Sequence, residues 1–146
     1  MRTLGIAAAA AAMLMAINAG HGAEAQHRLA IQVDQNDPAI MNLALNNAGN
    51  VKKYYKSKGE TVAIEIVAFG PGLAMFLADR SPVRNRISAM SLEDPEITFS
   101  ACANTHAALD KKEGRKVPLI DEASEVPSGV VRLMELQDEG YAYVRP

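Results

Sequence analysis

Tryptophan is absent from this chain, and cysteine occurs once, at Cys102. A single thiol cannot close an internal disulfide, so the fold must be held by an apolar core rather than by covalent staples. Aromatic residues make up only 5% of the sequence, and Lys and Arg are interspersed with Asp and Glu at a net charge of -2. No basic stripe interleaved with aromatics is present, which argues against nucleic-acid binding. Gly70-Pro71-Gly72 is no dinucleotide fingerprint, because proline fills the turn and the three-glycine pattern is missing. G-x-S-x-G and paired-carboxylate patterns are missing as well. Cys102 and His106 fall short of a structural zinc site, which usually takes four ligands. His27 and Asp34 would have to join them, and nothing in the spacing requires it. Neither a metal nor a cofactor is expected.

Long apolar runs are confined to the start of the chain. Arg2 precedes a small hydrophobic stretch, Leu4 to Ile17, and then Ala23-Glu24-Ala25. A positive start, a short apolar run and an A-x-A site form the layout of a secretory signal peptide. The run is short and alanine-rich for a membrane span of about 20 apolar residues. Cleavage is expected after Ala25, with Ala19-Gly20-His21 a weaker competing site and an uncleaved anchor the alternative. Residues 1–25 are thus read as a signal peptide and 26–146 as one exported, periplasmic domain, without a membrane span after cleavage. A domain of that length can bury a real core.

Strand and helix signals alternate along the rest. Arg28 to Asp34 reads as a first strand. Asp37 and Pro38 then supply an N-cap and a first helical residue, and Met41, Ala44, Leu45, Ala48, Val51 and Tyr55 fall on one helical face. Lys52, Lys53, Lys56 and Lys58 load the end of that helix, and Gly59 stops it. Thr61 to Phe69 is the clearest strand, interrupted by Glu65, whose carboxylate predicts a sheet edge or a subunit contact. A short helix over Leu73 to Leu77 and another begun by Ser81-Pro82 precede the strand that ends at Ala101. A helix from Cys102 to about Lys112, a weak strand at Glu122 to Val126, a helix through Val130 to Gln137 and a last strand at Tyr141 to Val144 complete the chain. This alternation predicts an α/β fold with a mainly parallel five-stranded sheet, read here as flavodoxin-like.

Cys102 is the sharpest chemical feature. It stands where a strand runs into a helix, and unpaired N–H groups and the helix dipole there favour thiolate. The competing reading is a small buried hydrophobe. In open parallel sheets ligands bind beyond the carboxyl ends of the strands, where strand order reverses. The flavodoxin-like order 2-1-3-4-5 places that reversal between strands one and three. The expected rim therefore holds Asp34 and Asn36, Gly70 and Gly72, Cys102 and Asn104, and Ser128 and Gly129. His106, one helical turn after Cys102, is a candidate thiolate stabiliser or base, with an uninvolved surface histidine as the alternative. Asn104 and Ser100 are candidate donors to a sulfur anion, or plain helix caps.

Several stretches together carry a family resemblance. They are Val67-Ala68-Phe69-Gly70-Pro71-Gly72, the strand entering Cys102-Ala103-Asn104-Thr105, and Val126-Pro127-Ser128-Gly129-Val130-Val131-Arg132. The mature chain resembles the DsrE/DsrF-like family over essentially its whole length. It is most similar to the exported branch, whose members end in a pattern matched by Met134-Glu135-Leu136-Gln137, Gly140-Tyr141 and Arg145-Pro146. The resemblance implies a three-layer α/β/α domain that assembles into a homo-oligomer. It also implies that Cys102 matches the cysteine that accepts and passes on persulfide sulfur in cytoplasmic relatives. The expectation is a periplasmic sulfur-relay protein, a carrier or at most sulfurtransferase-like, exchanging sulfur with donor and acceptor proteins or small thiols. The alternatives are a non-enzymatic oligomeric binding module with an inert Cys102 and a redox sensor that forms an intermolecular disulfide.

Overall fold

The computed structural model describes residues 24–146. The predicted signal peptide lies outside the described residues, apart from its last two positions. Among the described residues no helix is long and apolar enough to cross a membrane.

The elements are β1 (His27–Val33), α1 (Pro38–Ser57), β2 (Val62–Ala68), a 3-10 helix (Gly70–Phe76), α2 (Arg84–Glu93), β3 (Ile97–Cys102), α3 (Ala103–Glu113), β4 (Ala123–Val126), α4 (Gly129–Asp138) and β5 (Ala142–Val144). The five strands form one sheet, all parallel, and the α/β expectation holds. α1 starts as its sequence predicts: the Asp37 carboxylate accepts the Ala39 N–H at 2.7 Å, with Pro38 behind the cap. Its Met41, Ala44, Leu45 and Ala48 are buried against the sheet. Asn46, a poor helix former, is there for a reason: with Asn42 it receives the Arg86 guanidinium of α2.

Side-chain alternation sorts the strands into two faces. Ile31 and Val33, Ile64 and Ile66, and Ile97 and Phe99 lie in the main core beneath α1, the 3-10 helix and α2. Leu109 of α3 packs on the same core. The opposite face holds a smaller cluster, Ala30 and Val67 against Leu133 and Leu136 of α4. Three layers result, with α4 the helix of the second face.

Strand order is β4-β3-β2-β1-β5, not the expected 2-1-3-4-5. The chain steps three times in one direction, and then α4 carries it back across the sheet to the far edge. Right-handed crossovers place α1 to α3 on one face and α4 on the other. Connections therefore part to opposite faces between β3 and β4, and the crevice lies there rather than between strands one and three. β2 is also the central strand, which corrects the expectation that Glu65 marks an edge.

Two local differences appear. Gly70–Phe76 winds as a 3-10 helix, entered at Gly70 with φ +54° and packed at Gly72 against the end of β1. α2 begins only at Arg84; the Ser81 hydroxyl holds the turn before it, donating to the Met75 carbonyl at 2.5 Å and accepting the Val83 N–H at 3.3 Å.

Glycine substitutions separate these constraints. A Cβ on Gly72 would lie 2.2 Å from the Val33 carbonyl oxygen, whereas one on Gly49, within α1, would meet nothing within 4 Å. Gly72→Ala is expected to cost more than about 3 kcal/mol, and Gly49→Ala to stabilise by about 0.5–1 kcal/mol. Urea unfolding of the two variants against the parent checks both signs.

Candidate functional site

Cys102 ends β3 and is the N-cap of α3, with extended backbone at φ -68°, ψ 112°. It lies at the crevice, directly opposite Val126 of β4. Its side chain is on the α4 side of the sheet, in the same row as Ser100. The residue is buried, only 5% exposed.

Burial pushes the thiol up, but donors around the sulfur outweigh it and hold the thiol below its ordinary value. These donors are the Thr105 hydroxyl and the backbone N–H groups of Gly129, Thr105 and Asn104. No formed cap hydrogen bond joins the side chain to α3. The donors therefore act on the anion collectively, as a nest does. Asn104 and Thr105 belong to the first turn of α3, and Gly129 opens α4. Two helix N-termini thus converge on one sulfur, each contributing favourable potential for negative charge.

His106 is not part of that nest. Its Nε2 lies 2.6 Å from the Val117 carbonyl oxygen and its Nδ1 lies 2.6 Å from Glu125 Oε1. A carbonyl and an ionised carboxylate only accept, so both ring nitrogens donate and the ring is imidazolium. Burial lowers its pKa, but the bonds to Glu125 and Val117 and the nearby Asp110 charge raise it overall. With both nitrogens occupied, His106 does not serve Cys102 as a base. It ties α3 to β4 and to the segment between them.

The remaining rim residues divide. Gly129 and Asn104 reach the sulfur through their backbones, while the Asn104 side chain is exposed. Ser128 caps α4, its hydroxyl accepting the Val131 N–H at 3.5 Å. Gly70 donates its N–H to Thr105 Oγ1 at 3.0 Å. Gly72 is a packing position and offers no ligand contact. Asp34 and Asn36 follow β1, with β2 between them and the thiol. Asp34 is held by Arg145 at 2.9 Å and by Gln32 at 3.1 Å, and Asn36 is exposed. Ser100, a candidate donor to sulfur, gives its proton instead to Glu65 Oε1 at 2.6 Å.

Two features escaped the sequence reading. Thr105 stands three residues after the N-cap, a spacing at which cap and first turn face each other, and this spacing was the available signal. The other is the buried cluster of Glu65, Ser100 and Arg132. Arg132 donates to both Glu65 oxygens, at 2.8 Å each. Nothing local links residues 67 positions apart.

Below the thiol, a groove of about 550 Å³ runs between β4 and α4, lined by Ser100, Ser124, Val126, Ser128 and the Glu65–Arg132 pair. A larger hollow of about 750 Å³, around His27 and Tyr55, opens at the other end of the strands, away from the thiol. Among the described residues no three His, Cys, Asp or Glu side chains gather as a metal site.

No family model matches the chain, and no curated protein matches it. The chain is similar to a solved structure, a protein of unknown function from Methanobacterium thermoautotrophicum. Identity is 28% with a TM-score of 0.69, over 82% of this chain and 99% of that one.

The histidine tether has a pH signature. A folded-state pKa raised above the ordinary 6.5 gives stability that is fully present below about pH 6.5 and lost as pH rises through the folded value. His106→Gln should cost about 1–2 kcal/mol at pH 6 and flatten the decline at higher pH. Denaturant midpoints of parent and variant, measured from pH 5.5 to 9, check this.

Proposed function

We propose that the protein is a periplasmic sulfur carrier of the DsrE/DsrF-like kind, in which the Cys102 thiolate accepts and relays sulfane sulfur. The observation that carries the reading is the place of Cys102, N-cap of α3 and opposite Val126 at the end of β4, just before α4 begins, with the thiol held below its ordinary value there. A thiolate attacks the terminal sulfur of a persulfide. Cys102-S⁻ and R-S-SH give Cys102-S-SH and R-S⁻, one S–S bond forming as another breaks. An acceptor thiolate then attacks the outer sulfur, leaving as its own persulfide and returning Cys102-S⁻. No cofactor enters either step, and the donor and acceptor are proteins or small thiols.

Export and a homo-oligomer belong to the same proposal. Support for the first is the leader-like sequence before Gln26. Support for the second is the exposed Val130, Val131 and Met134 on α4, an apolar ridge beside the groove.

A second reading has its own observation. Cys102 is 5% exposed, as an inert core thiol in a binding module would be. Reaction with a bulky maleimide only after unfolding is the result that favours it.

Incubation of the mature protein with polysulfide, followed by intact mass measurement, tests the carrier. Wild type should gain the mass of a sulfur atom, reversed by a small thiol, and Cys102→Ser should gain none. Absence of the adduct on wild type, or equal adducts on both, would sink the proposal.

A further inference from the structure

The first residues of β1 frame the hollow at the amino ends of the strands. It measures about 750 Å³ and is walled by Leu29, Val51, Val62 and Ala142. The His27 and Tyr55 rings stack beside it at 3.7 Å, and Tyr54 stands edge-on to Tyr55 at 5.2 Å. A mostly apolar cavity of this size, with a few polar groups at its rim, suits a small molecule. A second hollow of about 500 Å³, around Glu139 and Tyr141, shares Ala25 and Arg28 with it. There the Arg28 guanidinium binds the Glu24 carboxylate. We propose that cleavage after Ala25 opens these adjoining hollows as a binding site for a small carboxylic acid with a flat apolar body, its carboxylate taking the place of Glu24 on Arg28.

The chain's own carboxylate shows how the acid is held. Arg28 Nη1 donates to the Glu139 carbonyl at 2.8 Å, and the guanidinium lies 6.0 Å from the Tyr141 ring centroid. Both partners belong to the mature chain, so the fork stays in place when Glu24 leaves, with Nη2 free for a new carboxylate. Neighbouring acids are engaged elsewhere: the Glu139 carboxylate reaches Arg132, and Glu60 is bonded to His27. Cleavage also turns the Gln26 N–H, bonded to Thr61 Oγ1 at 3.2 Å, into an α-ammonium at the rim of the larger hollow. The mature rim thus carries two positive groups beside aromatic and aliphatic walls. Ala25 lines both hollows, and its departure removes a wall common to them.

The site depends on cleavage after Ala25 and not on sulfur transfer at Cys102. Protein recovered from the periplasm is first sequenced from its N-terminus; a chain that keeps Glu24 overturns the site and leaves the thiol reading untouched. The mature chain is then titrated at neutral pH with 2-naphthoate, whose emission is read cleanly because the protein has no tryptophan. Saturable binding is expected. The uncharged naphthamide, the Arg28→Gln variant and the full-length chain that retains Glu24 should each show binding weaker by about tenfold. Ala142→Trp, on the exposed edge strand β5, should fill the hollow and abolish binding. Where Arg28→Gln does not fold, the naphthamide comparison carries the charge test. No binding by the mature chain, equal binding of acid and amide, or binding undiminished in Ala142→Trp would overturn the proposal. Naphthoate binding with no sulfur uptake by wild type would sink the carrier function alone.

Discussion

The Glu65–Arg132 ion pair governs the second face of this sheet. A carboxylate on the central strand, nearly out of contact with water, must be matched, and Arg132 matches it with two bonds while Ser100 supplies a third. Removing one partner of such a pair leaves a buried charge at a cost of about 3–5 kcal/mol in a fully dry site. Arg132 keeps some exposure and also reaches Glu135 and Glu139, so the lower end of that range applies. Leu133 and Leu136 of the same helix are buried beside this pair, against Ala30 and Val67. The ion pair and this small apolar cluster together seat α4, and with it the place of its first N–H groups.

The thiol environment follows from that seating. Arg132 is one helical turn after Gly129, whose N–H bears on Cys102. Gly129 also lets α4 approach: a Cβ there would lie 2.9 Å from Phe69 Cδ1. Phe69 precedes Gly70, the residue that braces Thr105 from the other side. Three loops, after β2, β3 and β4, therefore meet at one sulfur. The lowered thiol reflects their geometry and involves no neighbouring cation, since the imidazolium of His106 is turned to Glu125 and Val117.

That geometry also reassigns the residues of the rim. With strand order 2-1-3-4-5, the loop after β1 would face Cys102 across the crevice. In the order β4-β3-β2-β1-β5, β2 intervenes, and Asp34 pairs with Arg145 near the β5 edge instead. Position beside a switch point, not residue type, decides which loop can take part in chemistry.

Much of the fold was written locally. Asp37 and Pro38 start α1, Ser128 starts α4, and the apolar run through Val62 to Ala68 becomes the central parallel strand, because caps and burial patterns act over a few residues. Cys102 at a strand-to-helix junction was equally legible, since an N-cap is defined by its neighbours in sequence. Strand order was not, because any order of five parallel strands satisfies the same alternation of elements. Nor was the partner of Glu65, the braced hydroxyl of Thr105 or the occupation of both His106 nitrogens. Each depends on side chains brought together from distant elements, where distance and direction decide what a polar group meets. The sequence alone put a thiol at the head of a helix; tertiary packing decided that a second helix would point at it and that the histidine would not.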